Sequence, residues 1–399
     1  MGASPRVSPT VALTGIILAQ LLGCTLWFSV NGVAESLILD GALLPADLGQ
    51  LTAAVQIGFI TGTLVLGLTG LADHLPAPRL FAISAVIGAL LNLVFIWVVD
   101  VFALAVMTRF AIGVCLAGIY PLGMKLIVSW SPDLPGFALG LLVGMLTLGT
   151  ALPHGLAAIG AEWPWHWVLL AVSGLALGSA GLITVIGEGP YGVPKTGPVR
   201  LGAILKAFQI PGYRGAAFGY FGHMWELYAF WLLVPWLVAG VLGADATSQA
   251  ISGWSFAVIA AGTLGAIWAG WLSRIWGSAR LAFFSLFASG ALCLVYPWLQ
   301  ASGSMLALAI LLAWGFFVVA DSAQFSALSA KACAPEDVGS ALALQNSMGF
   351  AISVGSILWV SALLEGGSVE IVWWLLIGPL FGLIAMRHDL WRHRADNPR

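Results

Sequence analysis

Apolar positions in this chain fall into long unbroken runs, not into short alternating stretches. A helix that crosses a bilayer needs roughly 20 mostly apolar residues. By that measure the pattern predicts about twelve helices, near 10–36, 48–71, 79–99, 102–129, 137–159, 166–187, 215–241, 250–273, 280–299, 304–330, 339–363 and 369–387. Short polar or Gly/Pro-rich breaks separate them. A membrane barrel would instead show alternation over ten-residue segments. Helices suit lipid because each satisfies its own backbone hydrogen bonds. The expected fold class is an all-α polytopic membrane protein.

Composition agrees. Of the 399 residues, 60% are hydrophobic and 8% charged, against roughly 25% charged in an ordinary soluble domain. The 49 glycines suit close helix approach in lipid. A net charge of −2 with no strongly basic surface gives no reason to expect a nucleic-acid partner. Cys24, Cys115, Cys293 and Cys333 are far apart and form no CxxC or His-containing pattern, so neither a disulfide framework nor a metal site is expected. Nothing resembles a P-loop, an HExxH helix or a nucleophile with its base. No cofactor and no enzymatic activity are expected, and the tails are too short for the soluble domain of a receptor. The run from Thr10 is too long for a signal peptide and lacks a small-residue cleavage site, so it reads as the first span.

Charge placement sets the expected orientation. Arg6, Arg79, Lys195, Arg200, Lys206, Arg214, Arg274, Arg280, Lys331, Arg387, Arg392, Arg394 and Arg399 fall on one set of loops and tails, 13 of the 15 basic residues. The opposite loops carry Glu35, Asp40, Asp47, Asp100, Glu162, Asp245, Glu365 and Glu370. Positive charge marks the cytoplasmic side, so both termini are expected in the cytoplasm. Trp163, Trp165, Trp167, Trp373 and Trp374 sit where an interfacial belt would anchor the protein. The longest connection, 188–214, reads as a cytoplasmic linker between halves at 1–187 and 215–399.

The halves repeat each other. Gly62-Thr63-Leu64 recurs as Gly262-Thr263-Leu264. Pro132, Gly136, Ala138 and Leu139 recur with identical spacing as Pro335, Gly339, Ala341 and Leu342. Gly70 through Arg79 has a counterpart in Gly270 through Arg280. Parallel six-helix repeats place a transport site at the midplane between halves. With these features the chain resembles the major facilitator superfamily over essentially its whole length. Leu71-Ala72-Asp73 with Arg79 is similar to that family's loop between the second and third helices, departing from it at His74, Pro76, Ala77 and Pro78. Arg109 followed by Phe110, Ala111, Ile112 and Gly113 resembles its RxxxG signature in the fourth helix, which is often linked to proton coupling. The fifth helix has Gly140, Gly149, Pro153 and His154 but lacks the GPxxGG run of drug/proton antiporters. The resemblance implies two pseudo-symmetric six-helix bundles, with the first, fourth, seventh and tenth helices lining a cavity.

An ionisable group at the helix centre costs at least ~2.5 kcal/mol on insertion scales, so such groups are the first candidates for function. They are Arg109, Lys125, His154, His223, Glu226 and Asp321. His223 and Glu226 are three apart on one helix face, with Tyr220 a turn earlier. They read as a proton relay or as a structural hydrogen bond. Lys125 and Asp321, on helices related by the pseudo-symmetry, are expected to meet as a gate, or Lys125 to hold an anionic group. Snorkelling of Lys125 is the plain alternative, and packing is as good a reading of His154. Arg109 joins the proton-coupling set by resemblance, and Asp73 with Arg79 reads as a latch. Trp27, Asn31, Gln56, Gln324, Gln345 and Asn346 offer uncharged hydrogen bonds to a solute, although most such groups bond neighbouring helices.

The expected function is secondary active transport of a small polar or anionic solute across a bacterial inner membrane by alternating access. Protons and the lipid bilayer are the other expected partners, and a monomer is expected. Uptake is favoured over export. A metal-ion transporter is weaker still, since His223-Met224 has no second ligand motif.

Overall fold

The computed structural model describes residues 8–131, 135–192, 206–301, 305–334 and 337–387. Among the described residues the only regular secondary structure is helical, with eleven helices long and apolar enough to cross a membrane and one shorter apolar helix, Pro9–Cys24. Spans are numbered here in chain order. Span 1 begins at Pro9–Cys24, capped by Ser8, whose hydroxyl accepts from the Val11 amide. Spans 2 and 3 are Asp47–Thr69 and Ala77–Val98. Span 4 is Phe102–Ala117 and Tyr120–Trp130. Spans 5 and 6 are Pro135–Ile159 and His166–Ile186. Spans 7, 8 and 9 are Pro211–Leu242, Ser248–Trp276 and Ser278–Gln300. Span 10 is Met305–Ala320 and Ser322–Ala332, span 11 is Val338–Leu363, and span 12 is the 3-10 turn Val369–Trp374 with Ile377–Met386.

Three spans are broken where continuous helices were expected. Span 1 stops at Cys24, turns through residues 25–30 and resumes as a 3-10 turn, Asn31–Val33, and a helix, Ala34–Leu39. Span 4 breaks at Gly118 and Ile119, just before Pro121, which has no amide hydrogen to donate. Span 10 breaks at Asp321. Gly118 and Asp321 stand 203 positions apart, the offset that relates Pro132 to Pro335, two residues outside the described ones. Span 7 starts at Pro211, inside the stretch read as linker, because Ile210 is extended and proline at the first helical turn is already set for a helix.

The repeat is visible in packing. In the first half, spans 2 and 4 touch backbone to backbone: a Cβ on Gly113 would strike the Val55 carbonyl, and one on Gly62 would come 2.8 Å from the Val114 carbonyl oxygen. In the second half, Gly315 lies against the Val258 carbonyl and Gly265 against that of Phe316, joining spans 8 and 10. These contacts pair Gly62 with Gly265. The sequence match of Gly62-Thr63-Leu64 with Gly262-Thr263-Leu264 is therefore three residues out of register. Glycine and leucine are common enough in this chain for a false match at that distance.

Between the halves, span 5 packs on span 8 and span 2 on span 11. Thr263 donates its hydroxyl to the Gly144 carbonyl (3.0 Å), and Gly140 lies against Ala266 and Gly270. At the end bearing the acidic loops, Gly49 meets the Ser361 side chain, Gly155 meets the Phe256 ring, and Ser248 donates to Glu35 Oε1 at 3.1 Å. That end is closed by direct contact of the halves.

Replacing Gly113 or Gly315 by alanine forces a methyl group into a neighbouring carbonyl. Overpacking of this kind costs about 1–3 kcal/mol. Each variant is expected to unfold at lower temperature in detergent, whereas Gly174→Ala, whose Cβ would meet nothing within 4 Å, should melt like the parent.

Candidate functional site

A cavity of about 50 Å³ lies between the halves, room for a few waters. Its wall comes from both bundles. Span 4 gives Tyr120 and Met124, span 5 gives Thr147, span 7 gives Tyr220, Met224, Tyr228 and Trp231, span 10 gives Ser322 and Ser326, and span 11 gives Asn346 and Phe350. Tyr120 and Ser322 each open the second segment of a broken span. The two symmetric breaks therefore deliver polar groups to the same space.

Rings cover one side. Trp27 stacks on Tyr228 (centroids 5.9 Å) and on Phe350 (5.7 Å), Phe59 meets Phe350 at 4.5 Å, and Phe28 meets Trp231 edge-on at 6.0 Å. Trp27, Phe28 and Phe59 belong to the first half; Tyr228, Trp231 and Phe350 belong to the second. Trp27 Nε1 also donates to Gln56 Oε1 at 3.3 Å.

Beside the cavity, His223 Nδ1 lies 2.8 Å from Asp321 Oδ1, both side chains about 1% exposed. The pair does not have in-line hydrogen-bond geometry, and Asp321 Oδ2 and His223 Nε2 have no hydrogen-bond partner. The carboxyl leaves the helix axis at the break, one residue before Ser322, which is how it reaches across to span 7. The expected His223–Glu226 contact does not form. Glu226 turns the other way, and its Oε1 accepts from Ser289 Oγ and Trp314 Nε1, both at 2.7 Å. Shared helix face brought the two residues near, but each found a better partner on another span.

Arg109 fills the break in span 1. Its Nη2 donates to the Trp27 carbonyl (2.6 Å), and Nη1 donates to the Leu26 carbonyl (3.3 Å) and Ser29 Oγ (2.9 Å). Ser29 donates to Asn92 Oδ1 (2.7 Å), and Asn92 Nδ2 donates to Ser173 Oγ and the Leu169 carbonyl, both at 3.0 Å. Carbonyls freed by unwinding cannot turn to water inside a bilayer. A planar guanidinium presents several donors in one fork and meets two of them at once. Asn31 bonds Thr52 (3.0 Å) between spans 1 and 2, and Gly32 packs directly on Pro153, beside buried His154.

Of the sequence-expected binding residues, Tyr220 and Asn346 line the cavity and Trp27 backs it. Gln56, Gln324 and Gln345 are buried, and neither amide atom of Gln345 has a hydrogen-bond partner. Lys125 follows Met124 on span 4 and is half-buried. Arg79 is exposed at the start of span 3, and the Asp73 side chain lies outside the described residues. At the start of span 3, Glu188 Oε1 accepts from the Ala77 amide at 3.0 Å. Sequence reading missed Tyr120, Tyr228 and Trp231 in the wall, and Ser29, Asn92, Ser289 and Trp314 in the buried networks. Asn92, a polar amide inside an apolar run, was the available signal.

Arg109→Lys keeps a charge but offers an ammonium in place of the planar fork. An unsatisfied buried carbonyl costs about 1–3 kcal/mol, so the variant should melt below the parent in detergent, and Arg109→Met lower again. An unchanged melting temperature in Arg109→Met would show that the break in span 1 does not depend on this side chain.

The family model described as the Major Facilitator Superfamily matches residues 16–385, nearly the whole chain. No curated protein matches it. With its helical spans, its two packed bundles and that match, the chain belongs to the Major Facilitator Superfamily and is a membrane transporter.

Proposed function

We propose that the protein is a proton-coupled secondary transporter that carries a small polar solute in the cavity between its halves by alternating access. The observation that carries this reading is the buried His223–Asp321 contact beside Ser322, in the wall of that cavity. A histidine and a carboxylate there can exchange a proton whose charge is felt across one residue of backbone, where solute would sit. A histidine changes charge in the physiological range more readily than other side chains. The halves 1–187 and 211–399, joined by 188–210, are the bodies that rock. The basic loops favour a bacterial inner membrane with that end cytoplasmic, and the protein works as a monomer.

The wall indicates what the solute offers. Tyrosine hydroxyls, Thr147, Ser322, Ser326 and Asn346 supply hydrogen bonds, and the rings supply a flat apolar face. Among the described lining residues none is charged. An anionic solute therefore depends on Lys125, next to the lining Met124. The number of rings favours, as a second reading, export of a small organic molecule.

The test is transport by purified protein in proteoliposomes. An imposed proton gradient is applied in each direction to a panel of organic anions, nitrogen oxyanions, sugars and amino acids. One solute should accumulate with the inward gradient in the parent, and in Asp321→Asn it should only equilibrate. Accumulation that survives Asp321→Asn rejects this pair as the coupling site. Movement of solute only against the proton flow establishes the exporter.

A further inference from the structure

Each half has a buried polar core on the same three helices. In the first half, Ser29 of span 1 bonds Asn92 of span 3, and Arg109 of span 4 completes the set. In the second half, Glu226 of span 7 bonds Ser289 of span 9, and Trp314 of span 10 completes it. Spans 7, 9 and 10 are the repeats of spans 1, 3 and 4. In both halves the first two partners are 63 residues apart. The two cores use the same three helices but not the same positions (Arg109 to Trp314 is 205 residues, Gly113 to Gly315 is 202), and one is built on a permanent cation, the other on a group that can gain or lose a proton.

They differ in satisfaction too. Glu226 Oε1 takes two hydrogen bonds, while Oε2 is buried without a partner. The groups around it come from several spans. His223 and Tyr228 share span 7, Cys293 and Tyr296 follow Ser289 on span 9, and Asp321 follows Trp314 on span 10. In the described parts of spans 8, 11 and 12 no charged side chain is buried. Among the described residues His223 is the one basic group buried in the second half, and Asp321 holds it. A carboxylate at Glu226 would thus leave one buried oxygen without a protein donor and with no cation of its own. A carboxylic acid, although its hydroxyl has no acceptor there either, brings no charge into the site. Glu226 is not in the cavity wall.

We propose that Glu226 is a second proton site, separate from the solute, and that its ionisation acts on the packing of spans 7, 9 and 10. The step is a bare proton transfer. The Oε2–H bond breaks, a file of water admitted between these spans accepts the proton and passes it to bulk, and the carboxylate oxygen then accepts a hydrogen bond from a neutral water left in the file. The first half, locked by Arg109, has no equivalent step. Glu226 is accordingly a positioning residue, and solute coupling at His223–Asp321 is a separate event. The inference deepens the proton-coupled reading above, but its test uses neither solute nor gradient.

The experiment is infrared difference spectroscopy on the full-length protein in lipid as pH is raised stepwise. The parent should lose the carbonyl band of a buried carboxylic acid. The band should be missing from Glu226→Gln and kept in Asp321→Asn. Ser289→Ala, which removes one donor and keeps the acid, should shift the frequency of that band, and it serves if Glu226→Gln does not fold. Backbone hydrogen exchange, corrected for its intrinsic pH dependence, should rise over the same pH steps in spans 9 and 10 and stay unchanged in spans 3 and 4. A parent without the band, a band that survives in Glu226→Gln, a frequency unmoved in Ser289→Ala, or exchange that rises equally in both halves overturns the proposal. Should coupled transport fail in the liposome assay while the band behaves as expected, the proton site stands and the coupling reading falls.

Discussion

The structure depends on how the break in span 1 is satisfied. Lipid offers no hydrogen bonds, so a helix that unwinds at membrane depth must find donors for the carbonyls it frees. Arg109 provides them to Leu26 and Trp27. Because those bonds hold, residues 25–30 can leave the helical path and turn Trp27 and Phe28 toward the other half. The same guanidinium reaches Ser29 and, through it, Asn92 and Ser173, so spans 1, 3, 4 and 6 share one polar seam. That seam fixes the backbone from which Trp27 and Phe28 project into the aromatic wall of the cavity.

Symmetry and its violation divide the labour. The glycine contacts of spans 2 and 4 are reproduced in spans 8 and 10 almost atom for atom. Both bundles are thus tight internally, and the seams between them, spans 5 with 8 and 2 with 11, are closely packed as well. The breaks in spans 4 and 10 also match, yet one is made by glycine and a nearby proline and the other by aspartate. A duplicated scaffold has received different chemistry at equivalent points. Charge that can change state is concentrated at Glu226, His223 and Asp321 of the second half.

Much of this was legible in the sequence, for definite reasons. Lipid forces each crossing to be apolar and helical, so the spans could be read to within a few residues and His223, Glu226, Asp321 and Arg109 stood out against them. The break in span 1 was not legible: Leu26, Trp27 and Phe28 are as apolar as any helix interior, and the cause of the break lies 80 residues away in Arg109. The His223–Asp321 contact joins spans that sequence spacing cannot relate, whereas the three-residue spacing of His223 and Glu226 suggested a pairing that rotamers and neighbours did not choose. Serines bond their own helix so often that Ser29 and Ser289 carried no signal.

The ring stack formed by Trp27, Phe59, Tyr228 and Phe350 straddles the boundary between the halves. Each such pair is worth about 0.5–1.5 kcal/mol beyond its buried area, and every one of those bridging the boundary is lost when the halves part there. A flat solute entering the gap would restore face contact on both sides as the rings separate. In the alternating-access cycle proposed above, the stack would act as a toll on empty opening that a matching passenger cancels, discouraging the carrier from cycling unloaded.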